Sequence, residues 1–172
     1  LRQELAAWLA NRQLHLDAED LMILSGSQQG LYLLCKCFIS PGDSIVVESP
    51  TYLGAIQVFQ AAGARLLTLP GPLNSQSLPF LEDYLVRYRP KLFYLGSSFQ
   101  NPTGRSPDAS VCQKFLDLAA KYHLVIVEDD AYGHLHYETP APQPLKSRDH
   151  YGGVLYLGSA SKIFFPGLRT GW

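Results

Sequence analysis

The chain has 172 residues, 47% apolar and 17% charged, with a formal net charge of -1. That is enough sequence for one domain with its own core, in the composition of an ordinary soluble globular domain. The charge balance gives no electrostatic case for nucleic-acid binding by this segment, and no apolar run approaches the roughly 20 residues that a membrane-spanning helix needs.

Leu1, Leu5, Trp8 and Leu9 recur at helical spacing and predict a helix over residues 1–12. The opening Leu-Arg-Gln-Glu-Leu thus reads as an amphipathic helix rather than a signal peptide. The apolar run Leu21 to Leu24 reads as a first short strand, ending at Ser25-Gly26-Ser27. Residues 28–39 read as a buried helix, closed by Pro41-Gly42-Asp43. Ile45-Val46-Val47 is expected to be a buried strand, 52–62 a helix ending at Gly63, and 65–69 a strand. A polar loop opens at Pro70-Gly71-Pro72 and runs to about Ser77. Then come a helix over 79–88, a strand over 91–95, a long helix over 107–122 and a strand over 124–127. A Pro-rich surface loop is expected from Thr139 to Pro144 and a last strand over 154–157. Strands alternating with helices predict a three-layer α/β sandwich around a mostly parallel sheet, without internal repeat or interdomain linker.

Cys35, Cys37 and Cys112 are an odd number without metal-site spacing, which fits the thiols of a cytoplasmic protein. The chain starts at Leu1 rather than Met and stops at Trp172, directly after a site-like segment. It is therefore expected to be a piece of a longer protein.

In open α/β sheets ligands bind beyond the carboxyl ends of the strands. Five of the six expected strands end in unusual polar clusters. These are Ser25-Gly26-Ser27-Gln28, Ser49-Pro50-Thr51-Tyr52, Ser97 to Gly104, Glu128-Asp129-Asp130-Ala131-Tyr132 and Gly158-Ser159-Ala160-Ser161-Lys162. Each has an ordinary reading. A Gly-Ser turn caps helices, Asn-Pro-Thr-Gly makes tight turns, an acidic pair ends a strand, a lone lysine faces water, and Tyr52 could be packing. Their convergence on one sheet edge points instead to a site. Ser27 and Gln28 open a helix whose N-terminus suits an anion. Asp129 is the sharper carboxylate because Val125-Ile126-Val127 lead to it straight from the sheet interior.

With these segments in view, the sequence resembles the fold type I pyridoxal-phosphate enzymes, the aspartate aminotransferase superfamily. The resemblance rests on Ser25-Gly26-Ser27-Gln28-Gln29-Gly30, Pro50-Thr51-Tyr52, Asn101-Pro102-Thr103-Gly104, Asp129-Asp130-Ala131-Tyr132, and Ser159-Ala160-Ser161-Lys162 with Pro166-Gly167-Leu168-Arg169. They occur in the family's order and cover nearly all of the chain from Ser25 onward. The similarity is greatest to the 2-aminoadipate and aromatic aminotransferases. It is equally close to the MocR/GntR-type transcriptional regulators, which join a winged-helix DNA-binding domain to an aminotransferase-like domain.

The resemblance implies a fragment of the superfamily's large domain that binds pyridoxal 5'-phosphate. Lys162 would form the Schiff base, Asp129 would pair with the pyridine nitrogen, and Tyr132 and Asn101 would bond the ring's phenolic oxygen. Tyr52 would stack on the ring. The phosphate would meet Gly26, Ser27, Gln28, Ser159 and the guanidinium of Arg169. The acid of the motif lies three residues before its tyrosine, which selects Asp129 over Asp130. The resemblance further implies an amino acid and a 2-oxo acid as substrates and a homodimer that completes the phosphate site. It also implies an N-terminal segment over the site and a C-terminal small domain whose arginine binds the substrate carboxylate. Two functions stay open: an aminotransferase, and an effector-sensing domain of a regulator. A basic winged-helix domain upstream of Leu1 would decide for the regulator.

Overall fold

The computed structural model describes residues 1–137 and 141–172. Five strands form one sheet: β1 (Ser44–Val47), β2 (Arg65–Thr68), β3 (Leu92–Gly96), β4 (Val125–Asp129) and β5 (Val154–Leu157). All adjacent pairs are parallel, in the order β2-β1-β3-β4-β5. The central strands are apolar on both faces because helices cover both. Helices α2 (Ser27–Phe38) and α3 (Leu53–Ala61) lie on one face, where Leu31, Cys35, Ala55 and Phe59 meet Ile45, Val47, Tyr94 and Val127. Helices α4 (Leu78–Tyr88) and α5 (Ala109–Tyr122) cover the other, where Leu81, Leu85, Phe115 and Leu116 meet Val46, Phe93, Leu95 and Ile126. This is the expected three-layer sandwich.

Local sequence explains the helices. The buried side of α5 is Val111, Cys112, Phe115, Leu116 and Ala119, one stripe at a spacing of three and four. Pro79 stands in the first turn of α4, where its missing N–H leaves no helical bond unmade. The N-terminal helix α1 (Arg2–Leu9) continues as a 3-10 turn, Ala10–Arg12, matching the predicted 1–12 segment. It packs beside β5 through Leu9, Leu14, Leu21, Ala160 and Trp172.

The run Leu21 to Leu24 is not a strand of the sheet. It follows a 3-10 turn, Ala18–Asp20, and only Leu24 pairs, in an isolated antiparallel bridge with Gly171. Leu21 is spent on packing α1 while Met22 is exposed, so the run serves core burial and not ladder formation. Of the Pro-rich segment 139–144, Thr139 and Pro140 lie outside the described residues. Ala141–Pro144 has no regular structure and leads into a 3-10 turn, Leu145–Arg148.

The order reverses between β1 and β3: the chain proceeds from β1 outward to β2, then from β3 outward to β4 and β5. Such a switch point leaves a crevice beyond the strand ends. No helix among the described residues is long and apolar enough to cross a membrane.

Candidate active site

A cavity of about 470 Å³ opens at this crevice, within the range of small-molecule sites. Every residue singled out from the sequence lines it: Gly26, Ser27, Gln28, Tyr52, Asn101, Asp129, Tyr132, Ser159, Lys162 and Arg169. They arrive from the start of α2 and from the segments after β1, β3, β4 and β5.

One wall suits an anion. Gly26 caps α2 with φ +83°, a left-handed backbone region that only glycine enters freely. A Cβ there would also stand 3.0 Å from Arg169 Nη2. Gly171 lies so close behind that its own Cβ would meet Ser27 N at 2.6 Å. The two glycines thus let the guanidinium and the first N–H groups of a 12-residue helix share one spot. Gln28 adds its backbone there, while its side chain donates to Gly54 O (3.2 Å) and accepts from the Tyr52 hydroxyl (3.4 Å). That pair holds Tyr52, the N-cap of α3, at the cavity mouth. Ser159 Oγ accepts from Ser161 N at 3.2 Å, which leaves its proton free to donate.

The lining also carries a carboxylate. Side chains alternate along a strand, so Asp129 follows Val127 to the α2–α3 face while Glu128 and Asp130 face away. Asp129 accepts from the Tyr94 hydroxyl at 2.7 Å. Burial pushes its carboxyl up to about 6, and the Tyr94 hydrogen bond opposes that shift. Asp130 lies outside the cavity. Its Oδ2 pairs with Arg12 Nη2 at 3.1 Å and accepts from the Tyr156 hydroxyl at 2.8 Å. Lys162 Nζ sits 5.7 Å from the centre of the Tyr132 ring. The lining therefore sets two cations, Lys162 and Arg169, against one buried acid.

Several contributors were not legible as site residues. Tyr94 reads as a core aromatic, although a phenol in an apolar strand needs a partner, which is a usable signal. Gln100, 3% exposed, donates to Pro50 O (2.6 Å) and accepts from Thr103 N (3.1 Å) and Thr103 Oγ1 (2.6 Å). It thereby ties the Tyr52 segment to the Asn101 turn. Thr51 Oγ1 is buried in the lining without a partner among the described residues. Glu48 and Glu128 are buried, and burial pushes each up to about 7. Glu128 accepts from Leu145 N (2.7 Å) and Lys146 N (2.8 Å), so it organises a loop rather than capping a strand. Cys35 and Cys112 are buried and Cys37 exposed, all as free thiols.

A doubly wound parallel sheet with an anion cradle, a lysine and a buried acid around its switch point defines a class of α/β proteins built to hold a phosphorylated small molecule. The chain belongs to the Aminotransferase class I and II family, whose family model matches residues 1–172. It is 39% identical over its whole length to aromatic-amino-acid aminotransferase 1 of Thermococcus litoralis, 43% of which it covers. It is 38% identical, again over its whole length, to the uncharacterized HTH-type transcriptional regulator YisV of Bacillus subtilis, 36% of which it covers. The crystal structure of the alpha-aminoadipate aminotransferase LysN of Thermus thermophilus, complexed with N-(5'-phosphopyridoxyl)-L-leucine, superimposes with a TM-score of 0.90 at 39% identity. That match covers 99% of this chain and 43% of LysN. The chain thus spans less than half the length of these relatives, and aminotransferases and regulators both stand among them.

Proposed function

We propose that the full-length protein carrying this chain is a pyridoxal-phosphate-dependent aminotransferase, moving an amino group between an amino acid and a 2-oxo acid. The observation that carries this reading is the convergence on one cavity of Asp129 from the end of β4 with Lys162 and Arg169 from the segment after β5. The donor set fits the cofactor. The Gly26–Gln28 turn and Arg169 offer backbone N–H groups and a guanidinium to a phosphate. Asp129 offers a buried acceptor to a protonated ring nitrogen, and Thr51 Oγ1 in the same lining is a buried hydroxyl without a partner among the described residues.

Pyridoxal phosphate, when bound, supplies an electron sink for the bonds at the substrate α-carbon. The chain's own groups supply the rest. Lys162 Nζ would anchor the cofactor and then serve as the base that takes and returns the α-proton. Asp129 would favour a protonated ring nitrogen by charge complementarity. Tyr132 and Asn101 would bond the phenolic oxygen, and Tyr52 would stack on the ring. The Ser159 hydroxyl, Arg169 and the start of α2 would hold the phosphate. We read the protein as a cytoplasmic homodimer; its three free thiols are consistent with a reducing compartment.

Borohydride reduction of the full-length protein with pyridoxal phosphate, followed by peptide mapping, tests the anchor. A pyridoxyl group on Lys162 is expected; one on another lysine, or on none, removes the reading. A second reading, the effector-sensing domain of a transcriptional regulator, is favoured by the match to YisV over the whole chain. Single-turnover absorbance with a panel of amino acids and 2-oxo acids separates the two. Amino transfer supports the enzyme. Labelling of Lys162 without transfer, with DNA binding that responds to an amino acid, supports the regulator.

A further inference from the structure

Tyr94 stands two residues before the end of β3, inside a strand of otherwise apolar side chains. It is 2% exposed, and its ring packs edge-on against Phe59 of α3 with centroids 5.6 Å apart. Its hydroxyl reaches across to β4 and donates to Asp129 Oδ2 at 2.7 Å. The β3 residue paired with Asp129 in the ladder is Gly96, which brings no side chain to that place. Tyr94 and Asp129 both line the cavity, so the hydrogen bond forms part of its wall.

We propose that Tyr94 is a positioning residue for Asp129: its phenol fixes the carboxylate's orientation and favours the anionic form that a protonated heteroaromatic nitrogen requires. A carboxylate has about four acceptor directions, so one taken by the phenol leaves room for a donor from the cavity. A neutral partner serves this purpose where a cation would not. An arginine beside Asp129 would take up its charge, and the ring nitrogen would lose its counter-ion.

The surroundings make the phenol's contribution matter. Burial raises the Asp129 carboxyl to about 6, and the adjacent Asp130 charge pushes the same way. The Tyr94 hydrogen bond and the Ala131 N–H act against both. Burial and the Asp129 charge push the Tyr94 phenol well above its ordinary value, so it remains a donor across the physiological range. The other titratable groups lining the cavity are Tyr52, Tyr132, Lys162 and Arg169. On the far face of β4, Glu128 is buried and Arg12 pairs with Asp130.

The consequence for a cofactor rests on the function proposed above, but the contact concerns this chain alone and is tested without any ligand. In the cofactor-free full-length protein, the ionisation of Asp129 is followed by its infrared carboxyl band, assigned by difference from Asp129→Asn. Tyr94→Phe keeps the ring and removes the donor. It is expected to move the ionisation up by about one pH unit, a tenfold change in acid constant. Incorporating 3-fluorotyrosine at position 94 gives a stronger donor of the same shape and should move it down, which keeps the test open if Tyr94→Phe folds poorly. An ionisation that ignores either replacement, with circular dichroism unchanged, overturns the proposal. With pyridoxal phosphate added, the pH dependence of binding should follow the same shifts. A wild-type protein that binds none sinks the cofactor reading and leaves the infrared result to decide the role of Tyr94.

Discussion

Asp129 and Asp130 share a peptide bond but make different contacts: one carboxylate opens on the cavity, the other is sealed against Arg12 and Tyr156. Their substitutions should therefore separate two kinds of loss. Asp129→Asn keeps the shape and removes the charge, and a charge-assisted hydrogen bond is worth roughly 1.5–3 kcal/mol. Affinity for pyridoxal phosphate should fall by roughly 10- to 150-fold with little change in unfolding midpoint. Asp130→Ala strands a guanidinium only 10% exposed, and removing one partner of a buried pair is destabilising by roughly 3–5 kcal/mol. Its denaturation midpoint should drop, while the folded fraction still binds the cofactor. Folded Asp130→Ala protein that has lost the cofactor, beside Asp129→Asn protein that keeps it, would reverse the assignment.

Glu48 makes a pH prediction at the same scale. Burial pushes its carboxyl from 4.5 up to about 7. A group whose folded pKa lies above its unfolded one holds its proton more tightly when folded. Its contribution is therefore present at low pH and is lost as pH rises through about 7. Glu48→Gln, which cannot ionise, should flatten that part of the stability–pH curve measured by chemical denaturation. A curve as steep as wild type would place the titration elsewhere.

Between elements, two contacts tie the sheet to what surrounds it. Phe93 of β3 and Phe115 of α5 are fully buried and pack edge-on at 5.2 Å, joining sheet to helix. Phe93→Ala should cost about 3–5 kcal/mol in unfolding free energy, because the cavity it leaves is walled by other buried side chains. Glu128 joins β4 to the Leu145–Arg148 turn by accepting from two backbone N–H groups. Glu128→Gln replaces one acceptor with a donor and leaves one N–H opposed, a loss of roughly 1–3 kcal/mol. Amide exchange at Leu145 or Lys146 should quicken with it. Unchanged protection at both would show that the turn is held by other contacts.

At the scale of the whole molecule, the chain covers 43% of aromatic-amino-acid aminotransferase 1 and 43% of LysN. Holding a substrate in reacting geometry can lower a barrier by roughly 7–11 kcal/mol. None of the residues lining the cavity has been assigned to the substrate carboxylate. The isolated 172-residue chain should therefore transaminate at a small fraction of the full-length protein's rate in single-turnover absorbance. Equal rates would show that these residues complete the site.

Sequence by itself determined the layering, the five ladder strands and the residues that gather at their carboxyl ends. Periodicity reports burial directly, and in a parallel sheet polar residues collect where the strands stop. It separated Asp129 from Asp130 as well, because the apolar strand leading to Asp129 and the spacing of acid and tyrosine are both local signals. It misread Leu21 to Leu24, since an apolar run looks the same whether its backbone joins a ladder or only its side chains are buried. Partnerships between distant residues were decided only by the tertiary structure. Nothing in the spacing of Tyr94 and Asp129, 35 residues apart, or of Arg12 and Asp130, signals contact. Nor does the local pattern tell that Glu128 serves a turn 17 residues on. Those contacts depend on which strands become neighbours, and strand order is a property of the assembled sheet.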